Sequence, residues 1–325
     1  MNAAALAAFG GPEALAFGER PDPVAPPGWA VVELRAAALN WHDVLVRRGQ
    51  YDVALPRVPG ADGAGVRRDT DEAVVILPSL HWGEDDRFPS PAFEILGDHT
   101  DGTYAELVAV PEVNLMALPS GWSWEEAAAL PLAGLTAYRA LFTRGGLRAG
   151  ETVLVLGAGS GVSTMAIALA ALAGARVLVT SSSRAKIEAA RELGADGGAL
   201  YTRDGWPEEI RALTPGGRGV DLVIDSAGTW PQALAALAGG GRLVNFGATA
   251  TPDATVELRR FYFGQHTILG TTMGSPRDFA GLLALLAEHP TWRPLVHATY
   301  PLDRAADAHA ALERREHIGK LVLSV

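Results

Sequence analysis

The residues best suited to binding a charged ligand form a glycine-rich turn, Gly157-Ala158-Gly159-Ser160-Gly161-Val162. An apolar run from Thr152 to Leu156 precedes the turn, and an alanine- and leucine-rich stretch follows it to about Ala173. This order predicts strand, turn and helix, in which glycines let the backbone approach a pyrophosphate and free amides at the helix start bind it. Val162 breaks the strict G-x-G-x-x-G pattern, so a purely structural turn, or a pocket for another nucleotide-like ligand, stays open.

The residues after the next predicted strand bear on the choice of dinucleotide. NAD-binding folds usually carry a carboxylate about twenty residues beyond the turn, where it holds the ribose hydroxyls. Here the strand Arg176 to Thr180 is followed by Ser181-Ser182-Ser183-Arg184-Ala185-Lys186. Hydroxyls and two cations suit a 2′-phosphate, and the segment therefore predicts NADP(H). The alternative is a solvated helix start, although cations are disfavoured there unless an anion lies nearby.

Length and composition limit what these residues can belong to. The chain has 325 residues, 48% of them hydrophobic and 20% charged, which suits two domains with substantial cores. Its net charge of −10 and the absence of basic runs argue against nucleic-acid and anionic-membrane partners. The absence of cysteine excludes disulfides, thiolate zinc sites and cysteine nucleophiles. No signal peptide or membrane-spanning run is recognised, so we expect a cytoplasmic protein.

Two kinds of pattern divide the chain. Residues 1–120 contain short apolar runs separated by proline and glycine, which predicts a β-rich, barrel-like domain with one short helix near Asp43 to Arg48. Residues 121–288 alternate strands and helices, which predicts a parallel sheet. Residues 289–325 contain a strand, a helix and a last strand, and we expect this tail to return to the first domain.

This order resembles the medium-chain dehydrogenase/reductase superfamily, and more closely its zinc-free quinone oxidoreductase-like branch. The likeness covers nearly the whole chain and rests on several short segments. They include Asn40-Trp41-His42-Asp43, Pro59-Gly60-Ala61-Asp62-Gly63, Asp101-Gly102-Thr103-Tyr104, Val223-Ile224-Asp225-Ser226 and Gly319-Lys320. The resemblance implies an α/β protein, with a GroES-like β-rich catalytic domain and a Rossmann nucleotide-binding domain with a doubly wound parallel sheet.

The resemblance also implies site residues. It assigns Asn40, Asp43 and Tyr51 to catalysis, with Asn40 donating to a carbonyl oxygen, Tyr51 donating its hydroxyl or relaying a proton, and Asp43 orienting its neighbours or the nicotinamide ribose. Helix capping is the alternative for Asn40 and Asp43, and a packed ring with an exposed hydroxyl is the alternative for Tyr51. To the cofactor-binding residues of the turn and of the Ser181 segment it adds Thr136, Tyr201, Ser226, Phe246, Gly247, Ala248 and Met273.

Zinc-dependent relatives place a cysteine where Asn40 stands and a histidine where Ala61 stands. A catalytic zinc needs three protein ligands and an open position, which these two residues do not help to supply. His42, His81 and His99 share no metal-ligand spacing, so for each we expect polar surface or a packed ring. The sequence therefore predicts no metal site.

Together these features predict an NADPH-dependent, zinc-independent reductase of quinones or other α,β-unsaturated carbonyls. An alcohol or aldehyde dehydrogenase of the same superfamily is one alternative, and a non-catalytic NADPH-binding, redox-sensing protein is another. The resemblance further implies a homodimer formed through the edge strand Thr267 to Gly270. Relatives usually have a longer hairpin after the position of Gly65, so the shape of the substrate pocket stays open.

Overall fold

A computed structural model describes residues 1–325, and the contacts within it divide the chain into two compact units. The first comprises Met1–Leu135 and Gly274–Val325, and the second comprises Thr136–Met273. The sequence-based divisions lie instead after residues 120 and 288. Residues 124–129 belong to the first unit because the alanines of Trp124–Ala129 are buried against strands of that unit.

The elements of the first part of the chain are mainly short strands. They are β1 (Asn2–Leu6), β2 (Leu15–Glu19), β3 (Trp29–Ala38), α1 (Trp41–Arg47), β4 (Asp62–Arg67), β5 (Ala73–Ile76), β6 (Ser79–Leu80), β7 (Glu94–Ile95), β8 (Leu107–Pro111), β9 (Leu115–Ala117), α2 (Trp124–Ala129) and α3 (Pro131–Tyr138). The expected β-rich character is confirmed. The predicted short helix is α1, which begins two residues earlier than expected because Asn40 is its N-cap.

Strands and helices alternate in the middle of the chain. After a π-helical turn at Arg139–Arg144 come β10 (Thr152–Val155), α4 (Gly161–Leu172), β11 (Arg176–Ser181), α5 (Arg184–Glu192), β12 (Gly197–Leu200), α6 (Trp206–Ala212), β13 (Val220–Asp225), α7 (Trp230–Ala236), β14 (Leu237–Asn245), α8 (Leu258–Phe263) and β15 (Thr267–Gly270). The sequence did not predict α8, a six-residue helix with no buried face.

These strands form one six-stranded parallel sheet in the order β12-β11-β10-β13-β14-β15. Strands β10 and β13 are central, and the side chains of Val153, Leu154 and Val155 are fully buried. Burial on both faces explains why these strands are continuous apolar runs rather than alternating ones. The predicted doubly wound α/β architecture is confirmed.

The tail contains α9 (Pro276–Ala287), β16 (Val296–Pro301), α10 (Ala305–Arg314) and β17 (Lys320–Ser324). Strand β17 pairs antiparallel with β3, so the tail completes the main sheet of the first unit. That sheet has the order β16-β17-β3-β4-β5-β9, with β8 also paired to β3. None of the helices combines the length and the apolar character that crossing a bilayer requires.

Candidate active site

The predicted cofactor residues of the second unit meet at one edge of its sheet. Because β10, β11, β13 and β14 are parallel, their carboxyl ends lie at the same edge, where such sheets bind ligands. Gly157 follows β10, Ser181 ends β11, Ser226 follows β13, and Phe246-Gly247-Ala248 follow β14. Neighbouring strand ends are joined by the hydrogen bond from the Phe246 N–H to the Asp225 carbonyl oxygen, 3.0 Å.

The glycine turn has room for an anion. Gly157 and Gly159 have φ angles of +77° and +116°, which side chains rarely adopt. A Cβ atom on Gly159 would lie 3.0 Å from Lys186 Cδ and 3.4 Å from Lys186 Nζ, so the lysine side chain lies directly beside the turn. Helix α4 begins there, and the first N–H groups of a helix have no partner within it. The turn therefore offers a cation and backbone donors to one negative group.

The residues predicted to bind the 2′-phosphate are also brought together. Ser181 is buried, and its Oγ accepts a hydrogen bond of 3.2 Å from the Ser183 N–H. Ser182, Arg184 and Tyr201 are exposed. The Tyr201 N–H donates to the Ser181 carbonyl oxygen at 3.0 Å, which fixes the tyrosine beside the end of β11.

Two of the predicted cofactor-binding residues, Thr136 and Met273, touch each other. The Thr136 hydroxyl lies 3.9 Å from the Met273 sulfur, and both residues are buried. Met273 has a φ of +35°, a conformation that is costly for a residue other than glycine. The surrounding structure thus holds this side chain against Thr136.

In the first unit, Asn40 belongs to a buried ionic group. Lys320, from β17, donates to the Asn40 Oδ1 at 2.5 Å, to the Leu39 carbonyl oxygen at 2.7 Å and to the Asp62 Oδ2 at 3.0 Å. The Asn40 Nδ2 in turn donates to the Asp62 Oδ2 at 2.9 Å. Asp62 is fully buried, and burial raises the pKa of its carboxyl despite the nearby ammonium. Both ends of the Asn40 amide are therefore used within the unit.

Asp43 is the centre of a second buried group. Its Oδ2 accepts from the Asn40 N–H at 2.8 Å, which is helix capping, and from the Tyr104 hydroxyl at 2.9 Å. The Tyr104 hydroxyl also lies 3.1 Å from His309 Nε2. Burial lowers the pKa of His309 to about 4, and burial and Asp43 raise that of Tyr104. Near pH 7 His309 is therefore neutral and Tyr104 is protonated.

The ring of Tyr51 lies against His42, with the centroids 4.9 Å apart. His42 Nε2 lies 2.9 Å from Asp98 Oδ1, and His42 Nδ1 lies 3.5 Å from Asp43 Oδ1. Burial alone would lower the pKa of His42, but the two carboxylates outweigh it and raise the pKa to about 9. His42 is thus a buried cation, which is more specific than the packed ring or polar surface expected from sequence.

Sequence reasoning missed His42, Asp98, Asp62 and Lys320 as parts of this site. Asp98 lies 56 positions after His42, and Lys320 lies 280 positions after Asn40, so no local spacing indicates either pair. One signal was available, because Lys320 is one of only two lysines in the sequence, the other being Lys186.

The donors at the positions where zinc-dependent relatives have ligands do not suit a catalytic zinc. The Asn40 amide is engaged by Lys320 and Asp62, and Ala61 offers only a methyl group. A lysine ammonium at the same place repels a divalent cation. Nowhere in residues 1–325 do three or more histidine, cysteine, aspartate or glutamate side chains group in a way that could hold a metal ion.

Comparison with known proteins agrees with this architecture. Residues 26–120 match the alcohol dehydrogenase GroES-like domain, and residues 161–288 match the zinc-binding dehydrogenase family. A zinc-type alcohol dehydrogenase-like protein of Schizosaccharomyces pombe is 34% identical over 92% of this chain and 91% of its own. The human synaptic vesicle membrane protein VAT-1 homolog is 30% identical over 98% of this chain and 85% of its own.

Solved structures extend the similarity to three dimensions. A structure described as an NAD-dependent alcohol dehydrogenase is 41% identical, with a TM-score of 0.94 and full coverage of both chains. A mycobacterial protein complexed with NADPH is 28% identical, with a TM-score of 0.84 and the same coverage. From its two matching domains and these near full-length relatives, the chain belongs to the medium-chain dehydrogenase/reductase superfamily and is an oxidoreductase with the nicotinamide-binding fold of that family.

Proposed function

We propose that this protein is an NADPH-dependent, zinc-independent oxidoreductase that reduces quinones or other α,β-unsaturated carbonyls. The observation that carries the proposal is the Lys320 ammonium between Asn40 and Asp62. A cation already satisfies the buried carboxylate and the amide at this place. A metal ion bound there would have to displace that cation or lie beside it.

The chemistry of the acceptor follows from this arrangement. A metal ion polarises a carbonyl oxygen and stabilises the negative charge that develops when hydride arrives. Without that stabilisation, the charge has to be met by hydrogen-bond donors or by proton transfer, and quinones and enones lower this demand because they delocalise the charge over a conjugated system. NADPH, when bound, supplies the hydride, and the protein contributes position and electrostatics.

We assign roles in this reaction to three residues. Tyr51, 41% exposed, presents a phenol to the acceptor, and burial and the charge of Asp98 raise its pKa, which keeps the hydroxyl protonated. Asp43 holds the start of α1 through the Asn40 N–H. Asn40, expected from the resemblance to donate to the substrate, has its amide engaged with Lys320 and Asp62, so we assign it to holding the site rather than to the carbonyl.

NADP(H) is the proposed cofactor because no carboxylate stands at the end of β11, where Ser181 is followed by exposed Ser182 and Arg184. Lys186 adds a positive charge beside the glycine turn. Among the similar structures, one is described as NAD-dependent and another as complexed with NADPH, so the choice between the two cofactors needs a direct measurement.

The deciding experiment follows NADPH oxidation with a benzoquinone, an enone and an aldehyde, each repeated with NADH. The same reactions are run on protein dialysed against a chelator and on protein supplemented with zinc. We expect turnover of the quinone or enone with NADPH, unchanged by either treatment. Ser181→Asp should shift the preference towards NADH by introducing a carboxylate at the end of β11, and an unchanged preference would contradict the cofactor assignment.

Two other results would point elsewhere. The names of several relatives favour an alcohol or aldehyde dehydrogenase, and activity restricted to the aldehyde or dependent on added zinc would support it. Tight NADPH binding without turnover of any acceptor would instead support a redox-sensing role.

We also propose a homodimer formed through β15. This strand is the last of the six-stranded sheet, so one of its edges has no partner strand within the chain. The neighbouring helix α8 exposes the apolar side chains Leu258, Tyr262 and Phe263. An unpaired strand beside exposed apolar side chains is suited to pairing with the same strand of a second copy.

A further inference from the structure

His42 and Asp98 are not among the three residues assigned roles above. His42 is surrounded by carboxylates from two segments, Asp43 on α1 and Asp98 after β7. His42 Nε2 lies 2.9 Å from Asp98 Oδ1 and Nδ1 lies 3.5 Å from Asp43 Oδ1, so each ring nitrogen has a carboxylate beside it. The ring of Tyr51 lies against the imidazole at an interplanar angle of 56°.

The other charged and titratable groups near His42 have partners of their own. Asp43 also binds the Tyr104 hydroxyl, which in turn contacts His309 on α10. Arg47, the next cation along α1, is paired with Glu313. The Asp98–His42 pair is therefore the charged group in contact with the exposed tyrosine.

We propose that Asp98 and His42 form a positioning pair that holds Tyr51 for proton delivery to the reduced acceptor. This proposal rests on the function proposed above. Tyr51 is 41% exposed, so part of its side chain faces solvent and is not held by packing. The imidazole lies in contact with one side of the ring, 4.9 Å between centroids, and this contact restricts the motion of the ring.

The reduction requires one hydride and one proton, and each has a named source. The acceptor gains a hydride, that is, a proton and two electrons, from NADPH. The negatively charged product then takes the hydroxyl proton of Tyr51, whose O–H bond breaks. The resulting tyrosinate regains a proton from water. His42 stays protonated throughout, and it acts only through its charge and its contact with the ring.

The test compares Asp98→Asn, Asp98→Glu and Tyr51→Phe with the exposed neighbour variant His99→Asn as control. For each we would measure kcat and KM for the enone from pH 6 to 10, NADPH affinity and the thermal unfolding temperature. The wild-type rate should fall at the pH where His42 loses its proton. Because an opposite charge shifts a pKa by about 1–3 units, Asp98→Asn should move that fall to lower pH and reduce kcat about tenfold at pH 9.

Asp98→Glu should restore most of the wild-type profile, and His99→Asn should leave it unchanged. In the Tyr51→Phe background, Asp98→Asn should have no further effect on kcat, because the pair acts through the hydroxyl-bearing ring. A folded Asp98→Asn protein with a wild-type pH profile would overturn the positioning role and leave the proposed function standing. A wild-type protein that reduces no quinone or enone would overturn both.

Discussion

Replacing Lys320 by methionine tests the buried ionic group directly. The ammonium donates to three acceptors in the first unit, and its side chain is 2% exposed. Methionine fills a similar volume but donates nothing, so Asp62, the Leu39 carbonyl oxygen and the Asn40 Oδ1 lose a donor together. Breaking a buried pair by removing one partner costs about 3–5 kcal/mol, because the other charge stays buried and unpaired.

This cost converts to a measurable shift in unfolding temperature. For units of 150–250 residues, each kcal/mol shifts Tm by about 2–4 °C, so Lys320→Met should lower the Tm of the first unit by roughly 6–20 °C. Circular dichroism on heating, with guanidinium unfolding as a second measure, gives the value. Lys186→Met is the matched control, because that lysine is only partly buried and should change Tm by no more than about 2 °C.

The pH dependence gives an independent check. Burial already raises the pKa of Asp62 above its ordinary value, and loss of the ammonium should raise it further. A carboxyl with a raised pKa in the folded state adds stability at low pH and loses it as pH rises through that pKa. The penalty of Lys320→Met should therefore be largest near pH 7 and shrink as pH falls towards 4.

Asp62→Asn combined with Lys320→Met should recover much of the lost stability, because the buried charge is removed while an amide oxygen remains for the Leu132 N–H, which now donates to Asp62 at 2.7 Å. A loss below about 1 kcal/mol, the same at pH 5 and pH 7, would refute the reasoning. That result would mean that the pair is solvated and that the Lys320 ammonium does not stabilise Asp62 in the way the proposed zinc-independent function requires.

Three further predictions test the other groups. Lys186→Met should weaken NADPH binding about tenfold and NADH binding less, because the contact of a cation with the 2′-phosphate contributes about 1–2 kcal/mol. Fluorescence titration with each cofactor measures both affinities. Equal weakening of both would show that the lysine contacts the pyrophosphate, which the two cofactors share. The two carboxylates raise the pKa of His42 from 6.5 to about 9 in the folded protein, so the protonated histidine stabilises the fold fully below pH 6.5 and this stabilisation is lost as pH rises through 9. His42→Gln should remove this alkaline loss from a plot of Tm against pH. If the loss persists in the variant, another group causes it. Leu269→Arg adds a charge to β15 and should convert the proposed dimer to a monomer in sedimentation. Val113→Arg, at an exposed position outside β15, is the control and should leave the dimer intact. A monomeric wild-type protein would refute the dimer.

The sheet of the second unit was predictable because its signals are local. The strands β10 and β11 each contain an apolar run, and the alanine- and leucine-rich helix α4 lies between them in the sequence. The glycine turn indicates the site for the same reason, since the turn, the preceding strand and the following helix are contiguous. Helix α8 escaped prediction because it is short and buries no face, so packing did not impose a periodic pattern on it.

The candidate site of the first unit was predictable only in part, because its side chains meet through pairings that are distant in sequence. Capping of α1 by Asp43 depends only on residues close in sequence, and the sequence already indicates it as one of two roles for this residue. The partner of Asn40 comes from the last strand of the chain, and the partner of His42 comes from an irregular segment after β7. Nothing in the composition of either segment specifies which strand it faces.

The rarity of lysine gives a physical reason for treating the two lysines together. Arginine carries nearly all of the positive charge of this chain, whereas one lysine lies beside the glycine turn and the other is buried against Asn40 and Asp62. An ammonium is compact and has three donors that can point in separate directions, while a guanidinium is planar and needs more room. Three acceptors within 3.0 Å of one Nζ atom match the first geometry and not the second. Lys320→Arg should therefore be destabilising even though it keeps the charge, and β17 would have to move away from β3 to accommodate it.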